Sequence, residues 1–350
     1  MDLASDASAE AEATRTELTT VTPASATFHR ATGPEVVDGL EPATAYEHYG
    51  IAFETLAIPA GRLRSRFATV NDVHFGETEA GRVGSSELGP ILRVAPGAMP
   101  YPDVMNRAAV AELVEIDSVT PFAAVIAKGD LTSTGLDDEF AAFERCYRPP
   151  FGERLFAVRG NHDCIGGQTA YAGDRQIELD GLTIALLDTA VPGLDHGSVG
   201  DEQLEWLDAV AEAATDPIVV MGHHPQRIGF DTEPPGFSLT ADSTRALDDV
   251  FERRAAIVAY TAGHTHRHRV TRAGGGLPSI EVGCVKDFPG TWAEYEVYDG
   301  GILQIVHRIS SPEALTWSDR CRGLYADFGL DYTTYALGRL DERCLLIPYR

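Results

Sequence analysis

From position 66 onward, short apolar runs alternate with polar, glycine-bearing junctions and with segments whose apolar residues recur at helical spacing. The runs at 67–70, 122–127, 155–158, 183–187, 217–221 and 256–261 are short, apolar and strand-like. Segments 104–115, 138–146 and 201–214 carry the helical period. That alternation predicts an α/β layered fold. Residues 279–282, 292–298 and 302–308 change rhythm and read as consecutive antiparallel strands, the last two joined by a turn at Asp299, Gly300 and Gly301. Residues 311–350 read as a tail with a helix at 312–324 and a final extended piece. The tail's apolar content implies docking, on the domain's own surface or, as the alternative, on a second copy in a homodimer.

Polar residues matter most where they end these strands. The run 67–70 leads to Asn71, Asp72 and His74; 122–127 to Lys128, Gly129 and Asp130; 155–158 to Arg159, Gly160, Asn161, His162 and Asp163. The run 217–221 leads to Gly222, His223 and His224, and 256–261 to Gly263, His264 and His266. In an open α/β sheet the carboxyl ends of the strands line one crevice, so five such clusters converge from distant positions. Oxygen and imidazole donors without thiolate suit Mn, Fe or Zn, and a carboxylate with two oxygens can bridge two ions. As an alternative for any one of them, Asp and Asn at strand ends commonly cap helices.

Residues 1–20, acidic and Ala/Ser-rich without a basic or long apolar segment, read as a disordered lead with no leader peptide. No apolar run approaches the roughly 20 residues needed to cross a bilayer. Five widely spaced cysteines without a C-x-x-C pair suit a reducing, cytoplasmic location, with Cys321 and Cys344 the one pairing left open. The net charge is −25, and Lys128 and Lys286 are the only lysines. Such a field disfavours nucleic acid and anionic membranes as partners. A phosphate substrate stays compatible, because bound divalent cations invert the local potential.

The ordered set D-x-H, G-D, G-N-H-D, G-H-H-P and G-H-T-H resembles the calcineurin-like metallophosphoesterase superfamily over residues 66–310. The resemblance implies a four-layer αββα sandwich, with 61–310 as the catalytic domain. It also implies a hydrolase of a small-molecule phosphodiester or phosphomonoester, with a cyclic nucleotide among the candidates, acting by a metal-bridging hydroxide. Carried over motif by motif, Asp72, His74 and His266 would bind the first metal, Asp130 would bridge, and Asn161, His223 and His264 would bind the second. His162 would donate a proton to the leaving group, oriented by Asp163. Ser133, where purple acid phosphatases have tyrosine, and the presence of His74 turn the resemblance toward the bacterial class III cyclic-nucleotide phosphodiesterase-like branch. Proline usually precedes G-N-H; Arg159 there could meet the substrate phosphate or be a surface change. His224 is a second candidate substrate contact, with a packing role as its alternative, and His268 reads as a solvent-facing strand residue.

Within residues 21–60, the spacing Leu40, Pro42, Thr44, Tyr46 resembles the tyrosine corner of fibronectin-type sandwiches. The stretch is too short for a whole sandwich and is expected to be a remnant β hairpin packed on the main domain. The aperiodic stretch 76–103 directly follows Asp72 and His74 and is expected to form a wall or lid beside the metals. A nuclease of the same superfamily is the second enzymatic reading. A silent scaffold, which would normally have lost ligands, is the third.

Overall fold

The computed structural model describes residues 15–228 and 236–349, so the expectation of disorder at residues 1–14 lies outside the described residues. The expected boundary at 20 is corrected: Thr16–Val21, with three threonines and a valine, is already strand β1. It forms an antiparallel meander with β2 (Ser25–Arg30) and β3 (Gly33–Asp38), followed by the hairpin β4 (Ala45–His48) and β5 (Ile51–Glu54). The extension is therefore five strands rather than one hairpin. The Tyr46 hydroxyl accepts the Glu41 N–H at 2.9 Å, and Phe28 and Phe53 pack with Cys344 into a small core shared by the extension and the tail.

The main domain continues with β6 (Leu63–Val70), β7 (Glu79–Ala80), β8 (Leu92–Arg93), α1 (Tyr101–Val119), β9 (Ala124–Lys128), α2 (Asp137–Phe151) and β10 (Leu155–Val158). Then come β11 (Arg175–Leu179), β12 (Leu182–Leu186), α3 (Asp201–Ala213), β13 (Ile218–Met221), α4 (Ala241–Arg253) and β14 (Ile257–Ala262). The chain ends with β15 (Arg269–Arg272), β16 (Pro278–Glu281), β17 (Thr291–Tyr298), β18 (Gly301–Arg308), α5 (Pro312–Arg320), α6 (Tyr332–Leu337), α7 (Leu340–Arg343) and β19 (Leu345–Pro348).

Two six-stranded sheets result, in the orders β10-β9-β6-β17-β18-β19 and β11-β12-β13-β14-β16-β15. Alternation along each strand builds the layers. On β9, Ala124 and Ile126 face the other sheet, while Val125 and Ala127 face α1 and α2. On β13, Val219 and Met221 point inward, and Ile218 and Val220 meet α3 and α4. Central strands such as β9 and β13 are buried on both faces, which is why they are nearly continuously apolar. The architecture is the expected αββα sandwich.

One expected grouping is corrected. Residues 279–282 were expected to run beside 292–298, but β16 belongs to the second sheet, parallel to β14, while β17 and β18 pair in the first. Local periodicity is the same in either sheet, so it could not assign them. The tail docks on its own chain: β19 extends the first sheet beside β18, with Ile302 opposite Ile347. All five cysteines are free, with Cys321 and Cys344 in separate cores.

Arg343, 3% exposed, stitches both ends of the chain together. Its guanidinium donates to the carbonyls of Leu18 (2.8 Å), Thr19 (3.1 Å), Leu337 (2.6 Å) and Gly338 (2.9 Å). Arg343→Met should leave those acceptors unsatisfied and lower the unfolding free energy by about 3 kcal/mol. Urea denaturation checks this, and an unchanged midpoint would remove the stitch from the account.

Candidate metal centre

Every predicted ligand follows the carboxyl end of a strand by two to four residues: β6, β9 and β10 from one sheet, β13 and β14 from the other. The loops turn sharply there. Asp72 (φ 51°), His74 (47°), Asp130 (47°), His264 (69°) and His266 (56°) all adopt left-handed backbone. They are five of the nine described non-glycine residues that do so, each at a cost on the order of 1 kcal/mol or more. Strain of that kind concentrates where the surroundings over-determine a side-chain direction. Two glycines let the loops interlock: a methyl group on Gly129 would overlap the His223 ring, and one on Gly160 the Asp130 carboxylate.

The side chains converge. Asp130 Oδ2 lies 3.4 Å from His74 Nε2 and 3.3 Å from His223 Nε2, and Asp130 Oδ1 accepts the His162 N–H at 2.9 Å. His266 Nε2 is 3.6 Å from Asp72 Oδ1, and Asn161 Oδ1 is 3.2 Å from His223 Nε2. Donor atoms of Asp72, His74 and His266 fall within 4.8 Å of one another, as do those of Asp72, Asp130 and His223. Both carboxylates and both inner histidines are buried. His74 Nε2 has no hydrogen-bond partner, although carboxylates surround it. A buried set of carboxylate and imidazole donors with an unsatisfied nitrogen fits divalent metal ions.

Backbone acceptors fix the rings. His223 Nδ1 donates to the Lys128 carbonyl at 2.9 Å, which leaves Nε2 for the cluster. His162 Nδ1 faces the Ser133 carbonyl at 2.7 Å, and burial lowers its pKa below the ordinary histidine range. His264 lies within 4.8 Å of His223 and His224 through their ring nitrogens, and its own Nε2 is 2.8 Å from the Gly236 carbonyl.

Two expectations, for Asp163 and His268, are corrected, and for Arg159 and His224, where alternatives stood open, the structure shows their partners. Asp163 does not orient His162. It accepts the N–H groups of Leu131 (3.1 Å), Thr132 (2.8 Å) and Gly160 (2.8 Å) and so ties the Asp130 loop to the Asn161 loop. Burial raises its pKa to about 6. Arg159 is engaged by Asp188 at 2.6 and 3.0 Å and does not line the cavity over the cluster. His224, fully buried, has its ring nitrogens near Thr189 Oγ1 (2.9 Å) and the Asp195 carbonyl (3.2 Å), the packing role left as its alternative. His268 is likewise buried, against Gly283 N–H and Thr291.

The cavity measures about 560 Å³ and is lined by His162 and, among others, Thr78, Arg82, Ile165, Lys286 and Tyr325. The 76–84 part of the long loop is indeed its wall. Sequence reading missed Glu77, Lys286, Asp287 and Tyr325. Only the rarity of lysine in this chain could have singled out Lys286.

A family model described as calcineurin-like phosphoesterase matches residues 65–268, more than half of the chain. The chain is 31% identical over 173 residues to a probable cyclic nucleotide phosphodiesterase of Rhodococcus erythropolis, covering 44% of this chain and 54% of that protein. It is 33% identical over 115 residues to a cAMP/cGMP dual specificity phosphodiesterase of Mycobacterium tuberculosis, covering 29% and 36%. The chain thus spans about half or less of the length of these curated relatives. Its fold is similar to that of a dimetal phosphatase from Danio rerio, with a TM-score of 0.52, 15% identity, and coverage of 71% of this chain and 97% of that one.

Asp163→Ala should orphan three buried N–H groups and cost about 3 kcal/mol in the metal-free protein. A urea midpoint equal to that of the parent would show that Asp163 does not brace the two loops.

Proposed function

The chain belongs to the calcineurin-like phosphoesterase family, and from that premise we propose that it is a dinuclear metal-dependent hydrolase of a small phosphodiester, with 3′,5′-cyclic nucleotides the first class to test. The observation that carries the reading is Asp130, whose carboxylate lies between His74 and His223 and joins donors from both sheets. Asp72, His74, Asp130 and His266 would hold one ion, and Asp130, Asn161, His223 and His264 the other. When bound, the two ions supply an activated water near neutral pH and stabilise charge on the phosphoryl oxygens.

The chain's own residues do the rest. His162, on the cavity wall with Nδ1–H donated to the Ser133 carbonyl, would hand a proton from Nε2 to the leaving oxygen when the ring is in its imidazolium form. Thr78, Arg82 and Ile165 line the cavity and would border the leaving group. The names of the relatives support a cyclic nucleotide as substrate. The charge of −25 speaks against nucleic acid. Among the described residues no helix is long and apolar enough to cross a membrane. Five free cysteines support a reducing, cytoplasmic setting, and a tail spent on its own sheet favours a protomer that needs no second copy.

Purified protein should hold about two equivalents of Mn, Fe or Zn, and metal removal should abolish hydrolysis of bis-p-nitrophenyl phosphate. Turnover by metal-free protein would refute the proposal. Asp130→Asn should lower kcat by at least ~10³-fold, since both ions lose a ligand. A panel of cyclic nucleotides, glycerophosphodiesters, monoesters and single-stranded DNA then separates the substrate classes. His162→Ala should reduce turnover of esters with poor leaving groups by ~10²–10⁴-fold and spare activated ones. Equal losses on both would reassign His162 to substrate binding.

A further inference from the structure

Both imidazoles of the proposed first metal have a carboxylate at the nitrogen facing away from Asp72 and Asp130. Glu77 Oε2 stands 3.1 Å from His74 Nδ1, and Asp287 Oδ2 stands 3.7 Å from His266 Nδ1. Neither contact has formed a hydrogen bond, and Asp287 Oδ2 is buried with no hydrogen-bond partner at all. One cation spans the two carboxylates. Lys286 Nζ meets Glu77 at 2.6 and 2.7 Å and lies 3.6 Å from Asp287 Oδ2.

The cation is held from behind. Trp317 Nε1 donates to the Lys286 carbonyl at 2.8 Å, and the Tyr332 hydroxyl donates to Asp287 Oδ1 at 2.9 Å. Asn71, adjacent to Asp72, donates to the carbonyls of Val282 and Gly283, and its own carbonyl accepts the Val285 N–H. The segment carrying Lys286 and Asp287 is thus fixed to the first ligand loop on one side and to the C-terminal tail on the other. All of Lys286, Asp287, Trp317 and Tyr332 lie beyond residue 268, outside the stretch that the family model matches.

We propose that Lys286 is a positioning residue that clamps Glu77 and Asp287 against the outer nitrogens of His74 and His266, so that the C-terminal tail completes the first metal site. Outer carboxylates of this kind fix ring orientation and raise ligand basicity. A third ion bound by His266, Cys284 and Asp287, whose donor atoms also lie within 4.8 Å of one another, is disfavoured because the ammonium group already sits beside Asp287. Lysine suits the place better than arginine. The ammonium is compact, and both lysines of this otherwise arginine-dependent chain are buried, Lys128 at 0% and Lys286 at 6% exposure.

The inference rests on the two-metal reading, and the test separates the two. Metal-free parent, Lys286→Met and Glu77→Gln would be titrated with Co(II), following visible absorbance and bound equivalents, with circular dichroism as the fold control. The parent should bind two equivalents. Each variant should bind one as the parent does and the other ~10–100-fold more weakly, with an altered spectrum for that ion. Parental affinity for both ions, or a tighter first site, overturns the clamp, as does a loss of thermal stability with both affinities unchanged. Glu77→Gln keeps the side-chain volume and decides the question should Lys286→Met fail to fold. A parent that binds no Co(II) would overturn the two-metal reading itself.

Discussion

A single buried carboxylate sets the terms for the rest of the molecule. Asp130 is 1% exposed, and its two oxygens face His74, the backbone of His162, and His223. Two of those partners come from loops of the first sheet and one from the second. A carboxylate taken out of water needs such company, because leaving it unpaired would cost several kcal/mol. The two sheets must therefore present their strand ends to one point. The packing between them, from Ile126 on one side to Met221 on the other, holds them there.

The centre is built against local preference. Five side chains that a folding chain would place in ordinary backbone regions are held left-handed, and the two loops around Asp130 cross so closely that glycine is required at 129 and 160. Asp163 offsets part of this cost by satisfying three N–H groups at the crossing. The resulting directions are rigid, which suits ligands that must meet ions at fixed distances.

The extension and the tail are tied to each other, and the tail also reaches the segment behind the proposed first metal site. Arg343 anchors the N-terminal sheet to the last turns of the chain. Trp317 and Tyr332 pin the segment that carries Lys286 and Asp287. The tail's apolar content, read along the sequence only as a need to dock, is spent on the domain's own sheet and on the back of the proposed first metal site.

Much of this was legible in one dimension. The candidate ligand types, their order and their places at strand ends follow from residue identity and local period, and those are properties of short stretches. So did the layered α/β class, because strand-like and helix-like stretches alternate along the chain. What the sequence could not determine depends on which stretches become neighbours. Periodicity put 279–282 beside 292–298, yet the chain sends them to different sheets. Adjacency suggested that Asp163 would orient His162, yet the ring turns to Ser133 and the carboxylate to backbone N–H groups across the crossing. Arg159 met Asp188, and His224 met Thr189, partners 29 and 35 residues away. The pairing of Lys286 with Glu77 spans 209 positions. Local pattern fixes which residues can carry the chemistry; only closure of the two sheets decides which charges and hydrogen-bond donors stand behind them.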